Sequence, residues 1–219
     1  MESTITGYCS DPEAGQAHEA QVRCRIQSRG RPDHHVPAHP ACFPRSRRAG
    51  KIRCSQCGEE HDVFSIEPRY ARPDAYIQIP PDEREHRSHC GDDWCRLRDG
   101  EGGDERFFLR VTLPVEVLGE RRQLNWGVWV EVGRAIYDRV MDLWDDPNQA
   151  KEPPFPAKLA NQLPDYPSTI DLPGAVRLIG PDKAPQFHLE PQLDHPLARE
   201  QRAGVYPERA LEWVARFLH

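Results

Sequence analysis

The chain has 219 residues, of which 37% are hydrophobic and 29% charged, and its formal net charge is −6. This length is enough to bury the core of one domain of moderate size, and the acidic balance argues against a protein that neutralises many nucleic-acid phosphates with clustered Lys and Arg. Because the sequence has neither a basic-then-apolar leader nor a run of eighteen apolar residues, it predicts a soluble, cytoplasmic protein that does not enter a membrane.

The first fifty residues differ in composition from the remainder. They carry seven arginines against five acidic residues, and Pro, Gly and His are scattered through them without helical or strand periodicity. Such a segment buries too little apolar surface to offset its ordering entropy. We therefore predict that residues 1–50 are a disordered extension, which could be non-native because no methionine occurs between Met1 and Met141, and that residues 51–219 form a single domain.

Residues 106–132 alternate between apolar and polar side chains with period two, which predicts a β-hairpin. If the apolar sets of the two strands share one face, the residue numbers of each cross-strand pair must add to an odd sum. A sum of 241 leaves residues 119–122 as the loop and places Arg110 opposite Glu131. The reverse face, with Trp129, is expected to be half covered by another layer rather than to form a recognition surface.

Amphipathic helices and short strands follow the hairpin. The spacing of Ile136, Val140 and Leu143 predicts a helix that packs on the sheet, and "AKLANQL", "AVRLIG" and "QFHLEP" are strand candidates. "DHPLAREQRAG" is typical of a short helix capped by Asp194, and "PERALEWVARFLH" of a last helix. Together they predict an α+β fold, in which helices pack on an antiparallel sheet with a central hairpin and the domain begins with a cysteine-containing part.

Catalytic motifs are absent from the sequence. There is no G-x-S-x-G elbow, Walker loop or H-E-x-x-H zinc motif. Asp194 and His195 could be an acid and an oriented base, but neighbours at a helix start are more often a cap and an exposed residue. The lack of a nucleophile, base and orienting group favours a protein that is not an enzyme.

Several segments occur in the order of a known family. They are "CSQCGEEHD", "RFFLRVTLPVEV", "WGVWVEV", "LWDDP", "LPDYPSTIDL" and "DHPLAREQRAG". Across residues 52–218 the chain resembles the bacterial family catalogued as domain of unknown function 2199. The family pattern includes a C-x-x-C-G, which begins here at Cys54, and a D-x-C, which ends here at Cys95. The chain departs from the pattern at Gly133, where a serine cap is expected, and the resemblance implies no established activity.

The cysteines of these motifs indicate a metal site. C-x-x-C-G is half of a common structural zinc site, whereas a redox C-x-x-C opens a helix after a strand, and no such pattern follows Cys57. A second C-x-x-C is missing, so two reduced thiols at a turn remain the alternative. The predicted zinc ligands are Cys54, Cys57 and Cys95, with His61 or Cys90 as the fourth and His89 also available.

Three functions are compatible with these patterns. The first is a non-catalytic binding or interaction module with a structural zinc site, for which a protein partner is more plausible than nucleic acid. The second is an unrecognised metal-dependent hydrolase, which requires a metal with an open position or a cleft that gathers His195 with acids. The third is a zinc-containing nucleic-acid-binding module, which the acidic composition disfavours.

Overall fold

The structure is a computed structural model in which a long hairpin, seven further barrel and flanking strands, a separate pair of strands and several helices are described. The backbone is described for residues 20–24, 51–53, 60–62, 66–100 and 102–218, and the side chains for residues 67–100 and 102–216. Within these ranges the strands are β1 (Ala20–Cys24), β2 (Lys51–Arg53), β3 (Glu60–Asp62), β4 (Ile66–Tyr70), β5 (Ser88–Cys90), β6 (Trp94–Arg98), β7 (Glu105–Glu116), β8 (Gln123–Val132), β9 (Phe155–Leu159), β10 (Pro173–Arg177) and β11 (Gln186–Leu189). The helices are α1 (Asp74–Ile77), α2 (Arg84–Arg87), α3 (Arg134–Asp142), α4 (Pro196–Ala203) and α5 (Pro207–Leu218), with a 3-10 helix at Gln149–Lys151.

Strands β7 to β11 close into a five-stranded barrel. Each strand from β7 to β11 pairs antiparallel with the next one along the chain, and β11 returns to β7 in a parallel pairing of Gln186 with Thr112. Outside the barrel, β4 and β1 extend from β8, and β6 and β5 extend from β7. Strands β2 and β3 form a separate pair.

The predicted α+β fold class is therefore wrong. The sheet closes on itself instead of lying open under amphipathic helices, and the described helices are few and short beside the strands. The reason lies in the length of the hairpin strands, which have 12 and 10 residues, so that each can pair with different neighbours along its two halves. Closure of the sheet removes open edges from the barrel.

The hairpin has the predicted faces but a different register. Phe107 pairs with Val132 and Glu116 with Gln123, an odd sum of 239 rather than 241. The apolar sets therefore share one buried face, as predicted. The Val117 amide still bonds to the Arg122 carbonyl at 3.3 Å, which moves the loop one residue earlier.

Arg110 consequently lies opposite Trp129, and its predicted cross-strand pairing with Glu131 is wrong. Arg106 binds Glu131 instead, with its Nε 2.9 Å from Oε1 and its Nη2 2.6 Å from Oε2. The guanidinium of Arg110 binds the carboxylate of Asp93. Each arginine on this face thus has a carboxylate that sequence spacing does not indicate.

We expect a double-mutant cycle of Arg106→Ala and Glu131→Ala to show a coupling of about 0.2–1 kcal/mol in the free energy of unfolding, since both side chains are partly exposed. Denaturant unfolding measures it. The Arg110–Glu131 cycle is the matched control and should give a smaller coupling, because Arg110 is occupied by Asp93. A larger coupling for Arg110 than for Arg106 would contradict the observed register.

Both faces of the hairpin are buried near its centre. On the reverse face, the Trp129 side chain is fully buried, and its Nε1 donates to the Tyr70 carbonyl at 3.1 Å. The Arg72 guanidinium lies 6.0 Å from the centroid of the Trp129 ring. The expectation that another layer covers this face is confirmed, since the segment after β4 packs on it.

The predicted local elements after the hairpin are present. Helix α3 buries Tyr137 and Val140, and Gly133 precedes it without a side-chain cap. Strands β9, β10 and β11 overlap the three predicted short strands. Strand β1 lies within the first fifty residues, whose remainder is outside the described residues, so the predicted disorder and the boundary at residue 50 stay predictions.

Candidate functional site

The predicted zinc ligands are only partly within the described structure. Cys54 and Cys57 lie outside the described residues, and of His61 only the backbone is described, in β3 opposite Ile52. Cys95 is fully buried and forms a disulfide with Cys90. A disulfide sulfur does not serve as a thiolate ligand, so the zinc prediction stays a prediction that requires the reduced chain.

A second cluster joins segments that the sequence analysis did not connect. Its members come from the loop between β9 and β10, the start and middle of α4, and one side of α5. We define the Tyr166 cluster as Asp165, Tyr166, His195, Glu200, Arg209 and Trp213. No sequence pattern linked these residues, although "LPDYPSTIDL" and "DHPLAREQRAG", which supply the first four, were singled out for their resemblance to the family.

The loop that carries Tyr166 is held by buried polar groups. The Oδ1 of Asn161 accepts the Trp129 amide at 2.7 Å, and its Nδ2 donates to Asp74 Oδ1 at 2.9 Å. The Thr169 hydroxyl donates to the Asn161 carbonyl at 2.7 Å and accepts the Leu163 amide at 2.8 Å. A satisfied buried network fixes one loop conformation. Tyr166 is therefore presented by a rigid support.

Asp165 has a backbone conformation that side chains rarely adopt. Its φ is 66°, in the left-handed region, which costs a residue other than glycine about 1–3 kcal/mol unless its surroundings impose it. Its carboxylate accepts from Arg216 Nη1 at 2.7 Å. This ion pair with α5 helps to hold the left-handed turn next to Tyr166.

Tyr166 acts as a hydrogen-bond donor. Its hydroxyl donates to Glu200 Oε2, while Arg209 Nε donates to Glu200 Oε1 at 3.3 Å. The Arg209 guanidinium lies 5.6 Å from the Tyr166 ring centroid and 5.2 Å from that of Trp213. Burial, and secondly the Glu200 carboxylate, raise the pKa of Tyr166 far above its ordinary value. The phenol therefore stays protonated at neutral pH and is not available as a base or nucleophile.

We expect this raised pKa to appear in the alkaline stability of the protein. Below pH 10.0, the ordinary pKa of tyrosine, Tyr166 is protonated in both the folded and the unfolded state, and its contribution to the free energy of unfolding is fully present. Above that pH the unfolded state loses a proton that folded Tyr166 keeps. The free energy of unfolding should then fall by about 1.4 kcal/mol per pH unit for each such tyrosine. Between pH 10 and 11.5, the free energy of unfolding of Tyr166→Phe should therefore fall less steeply with pH than that of the wild type, by the contribution of one proton. Denaturant unfolding at several pH values measures this slope.

Burial also raises the pKa of Tyr70, so Tyr70 should still contribute to the pH dependence of the free energy of unfolding in the variant. Tyr206→Phe is the matched control, because Tyr206 is exposed. An unchanged slope in Tyr166→Phe would contradict the protonated, buried phenol.

His195 caps α4 and presents one unpartnered donor. Its Nδ1 accepts the Leu197 amide at 3.2 Å, so in the neutral ring the proton lies on Nε2. The side chain is only 7% exposed, and its Nε2 is buried with no hydrogen-bond partner. The Nε1 of fully buried Trp213 likewise has no partner. Both rings contact that of Tyr166, with centroids 6.2 and 6.3 Å away.

This geometry revises the prediction for the Asp194–His195 pair. His195 is the cap, and Asp194 is an exposed residue that binds Arg199, which lowers the pKa of Asp194. The predicted cap was therefore wrong by one residue. Because the Nδ1 lone pair of His195 is used by the cap and Nε2 carries the proton, neither nitrogen is arranged as a general base or a metal ligand.

Within the residues that the structure describes, two kinds of feature are absent. In those ranges, no group of three or more His, Cys, Asp or Glu residues is placed to hold a metal ion. Nor does any described helix have the length and apolar character needed to cross a membrane.

Comparison with known proteins places the chain in a family. The family model described as "Uncharacterized protein conserved in bacteria (DUF2199)" matches residues 53–205, which include Tyr166, His195 and Glu200 but not α5. No curated protein and no solved structure matches the chain. The predicted resemblance is thus confirmed, and the chain belongs to the uncharacterised bacterial family DUF2199.

Proposed function

We propose that this chain is a non-catalytic binding module of the cytoplasm, in which the Tyr166 cluster binds a main-chain carbonyl of a protein partner. The observation that supports this function is the buried, unpartnered Nε2–H of His195. Its role as a cap fixes that nitrogen as a donor. A donor needs an acceptor, and a partner supplies one.

The unpartnered donor of His195 costs free energy in the unbound protein. A buried N–H without an acceptor costs about 1–3 kcal/mol, and nearly all such groups in folded proteins are satisfied. The nearby Trp213 Nε1 adds a second group of the same kind. A ligand with acceptor atoms would recover part of this cost. Because the donor is buried, we expect binding to involve a small displacement of the side chains beside it, such as Tyr166.

The charges of the cluster favour a neutral acceptor. Within the cluster, Asp165 and Glu200 supply two carboxylates and Arg209 one positive charge. Beside it, Glu212 binds Arg209 and Arg216 binds Asp165, which adds one charge of each sign. An anionic ligand would meet a net negative surrounding with both arginines already occupied. A peptide carbonyl carries no charge and accepts hydrogen bonds strongly.

The adjoining surface suits a protein partner. Tyr206, between α4 and α5, is 69% exposed, and Leu118 in the β7–β8 loop is 38% exposed. The two are held together because the Leu118 amide donates to the Val205 carbonyl at 2.8 Å. Exposed tyrosines on rigid backbone are typical anchors of protein interfaces.

Nuclear magnetic resonance of the full chain with uniform ¹⁵N labelling tests the proposal. N-methylacetamide serves as a neutral carbonyl probe, and sodium acetate as its charged counterpart. We expect the amide to shift the His195 Nε2–H resonance saturably, with a Kd on the order of millimolar or weaker for so small a ligand, and acetate to shift it much less.

His195→Asn is the matched variant, because asparagine keeps an acceptor for the Leu197 amide but does not reach the position of Nε2. We expect its free energy of unfolding to stay within about 1 kcal/mol of the wild type, whereas His195→Ala loses the cap and about 0.5–2 kcal/mol. Probe-induced shifts at Tyr166 and Trp213 should vanish in His195→Asn. Shifts that persist there, or no saturable shift in the wild type, would refute this binding site.

A further inference from the structure

We propose that Cys90 and Cys95 form a reversible redox couple that exchanges with a dithiol reductant. This site is separate from the Tyr166 cluster and does not depend on its function. The two residues are direct cross-strand partners in the antiparallel pairing of β5 and β6, and their sulfurs are bonded. The surrounding hairpin holds them in this arrangement.

The turn between the two cysteines is fixed by its own contacts. The Gly91 amide donates to the Trp94 carbonyl at 2.9 Å. A Cβ on Gly91 would lie 2.7 Å from the Trp94 indole nitrogen, so the indole requires glycine at this position. These contacts close the hairpin without any contribution from the sulfur atoms.

Two arginines anchor the same turn to the rest of the fold. The Arg110 amide donates to the Asp93 carbonyl at 2.8 Å, and the Arg110 guanidinium binds the Asp93 carboxylate. Arg72 Nη1 donates to the Gly91 carbonyl at 3.0 Å and holds a positive charge beside the residue that follows Cys90. We expect the two thiols to remain opposite each other when the disulfide is reduced.

A disulfide at this position adds little as a structural staple. Stabilisation by a cross-link grows with the length of the closed loop, and only four residues separate the two cysteines. Since the turn is already held by hydrogen bonds and an ion pair, the cross-link restricts few further conformations. Reduction is therefore compatible with the folded state, as a reversible couple requires.

Burial determines how the exchange proceeds. Cys95 is fully buried and Cys90 only partly, so an incoming thiolate attacks the Cys90 sulfur. The bond between the two cysteines breaks, and Cys95 leaves with the electron pair and takes up a proton. The second thiolate of the reductant then attacks the mixed disulfide and releases Cys90, which is also protonated. Two electrons and two protons pass to the chain, and the dithiol becomes a disulfide.

The same placement makes a monothiol a poor reductant. After one monothiol has attacked Cys90, Cys95 lies directly across the strand pair and expels it again by the reverse attack. An intramolecular attack from a fixed position is faster than a second encounter with free thiol. A dithiol avoids this return, because its own second thiol resolves the mixed disulfide.

Redox titration of the folded full chain tests the couple. The protein is equilibrated in dithiothreitol and, separately, in glutathione buffers of stated potential, then alkylated and mapped by peptide mass. We expect Cys90 and Cys95 to become alkylated together, as one two-electron transition. At equal thiol concentration and short times, dithiothreitol should reduce the pair at least tenfold faster than glutathione. Far-ultraviolet circular dichroism should be unchanged across the transition.

Three variants test this interpretation of the titration. In Cys90→Ser, the buried Cys95 thiol should resist alkylation in the native state by at least tenfold relative to Cys90 in Cys95→Ser. Asp93→Asn weakens the anchor of the turn and should speed reduction by glutathione, because Cys95 is held less firmly for the return attack. Separate alkylation of the two cysteines in the air-oxidised wild type, or reduction only where the protein unfolds, would overturn the proposal.

Discussion

Replacing Trp129 with alanine is expected to lower the free energy of unfolding by about 3–5 kcal/mol, the range for removing a large buried aromatic side chain. The side chain is fully buried on the reverse face of the hairpin. Its loss leaves a cavity beneath the segment after β4 and deprives the Tyr70 carbonyl of a hydrogen bond. Denaturant unfolding monitored by circular dichroism gives the difference.

Two further variants serve as comparisons for Trp129→Ala. Trp129→Phe keeps an aromatic ring but loses the Nε1 donor, so we expect a smaller loss of about 1–3 kcal/mol. Tyr206→Ala removes an aromatic residue that is exposed, and should change the free energy of unfolding by about 0.5 kcal/mol or less. A loss below 1 kcal/mol for Trp129→Ala would mean that the reverse face is not covered.

Local patterns predicted the elements from β7 onward. The alternation along β7 and β8 is a property of neighbouring residues, and it placed Leu109 and Val128 correctly on one buried face. The apolar spacing of α3 and the turn residues around β9, β10 and β11 are equally local. The elements from β7 onward were therefore found, although their bounds moved, whereas strands β1 to β6 and helices α1 and α2 were not predicted.

The closure of the sheet has no local signal. It depends on the parallel pairing of Gln186 with Thr112, residues far apart in the chain, which no alternation or turn motif indicates. The register shift has a similar cause. Sums of 239 and 241 bury the same apolar side chains, so the alternation cannot choose between them, and the pairing from Phe107–Val132 to Glu116–Gln123 is seen only in the structure. The sequence therefore predicted which side chains share a face, but it could not predict which residue lies opposite Arg110.

The candidate site was largely beyond sequence reasoning for the same reason. Tyr166 and Glu200 meet only because the β9–β10 loop and α4 lie at the same part of the barrel. At the start of α4, Asp194 and His195 both carry acceptors that can cap a helix, and composition cannot choose between them. Cys95 was predicted as a zinc ligand from its place in the D-x-C motif, and no sequence pattern indicated that the β5–β6 pairing places Cys90 opposite it.

The second large effect is expected at Asn161, which joins the barrel to the loop that carries Tyr166. Asn161→Leu has the same branching and number of non-hydrogen atoms but removes the acceptor of the Trp129 amide and the donor to Asp74. The amide is then buried without a partner, and the Arg72 carbonyl loses its donor as well. We expect a loss of about 2–5 kcal/mol in the free energy of unfolding, together with faster hydrogen exchange at the Trp129 amide.

Asn161→Asp distinguishes the lost acceptor from the lost donor. The new carboxyl group still accepts the Trp129 amide, but it replaces the donor to Asp74 with a second carboxylate. Repulsion and burial should raise the pKa of the new group in the folded state above the ordinary aspartate value of about 3.9. The variant should therefore be close to the wild type in stability below that pH and should lose stability relative to it as the pH rises to 7. Denaturant unfolding of both proteins at pH 3.5, 5 and 7 measures this difference. A difference that does not change with pH would mean that Asp74 and position 161 are not in contact, and that the loop carrying Tyr166 is held by other groups.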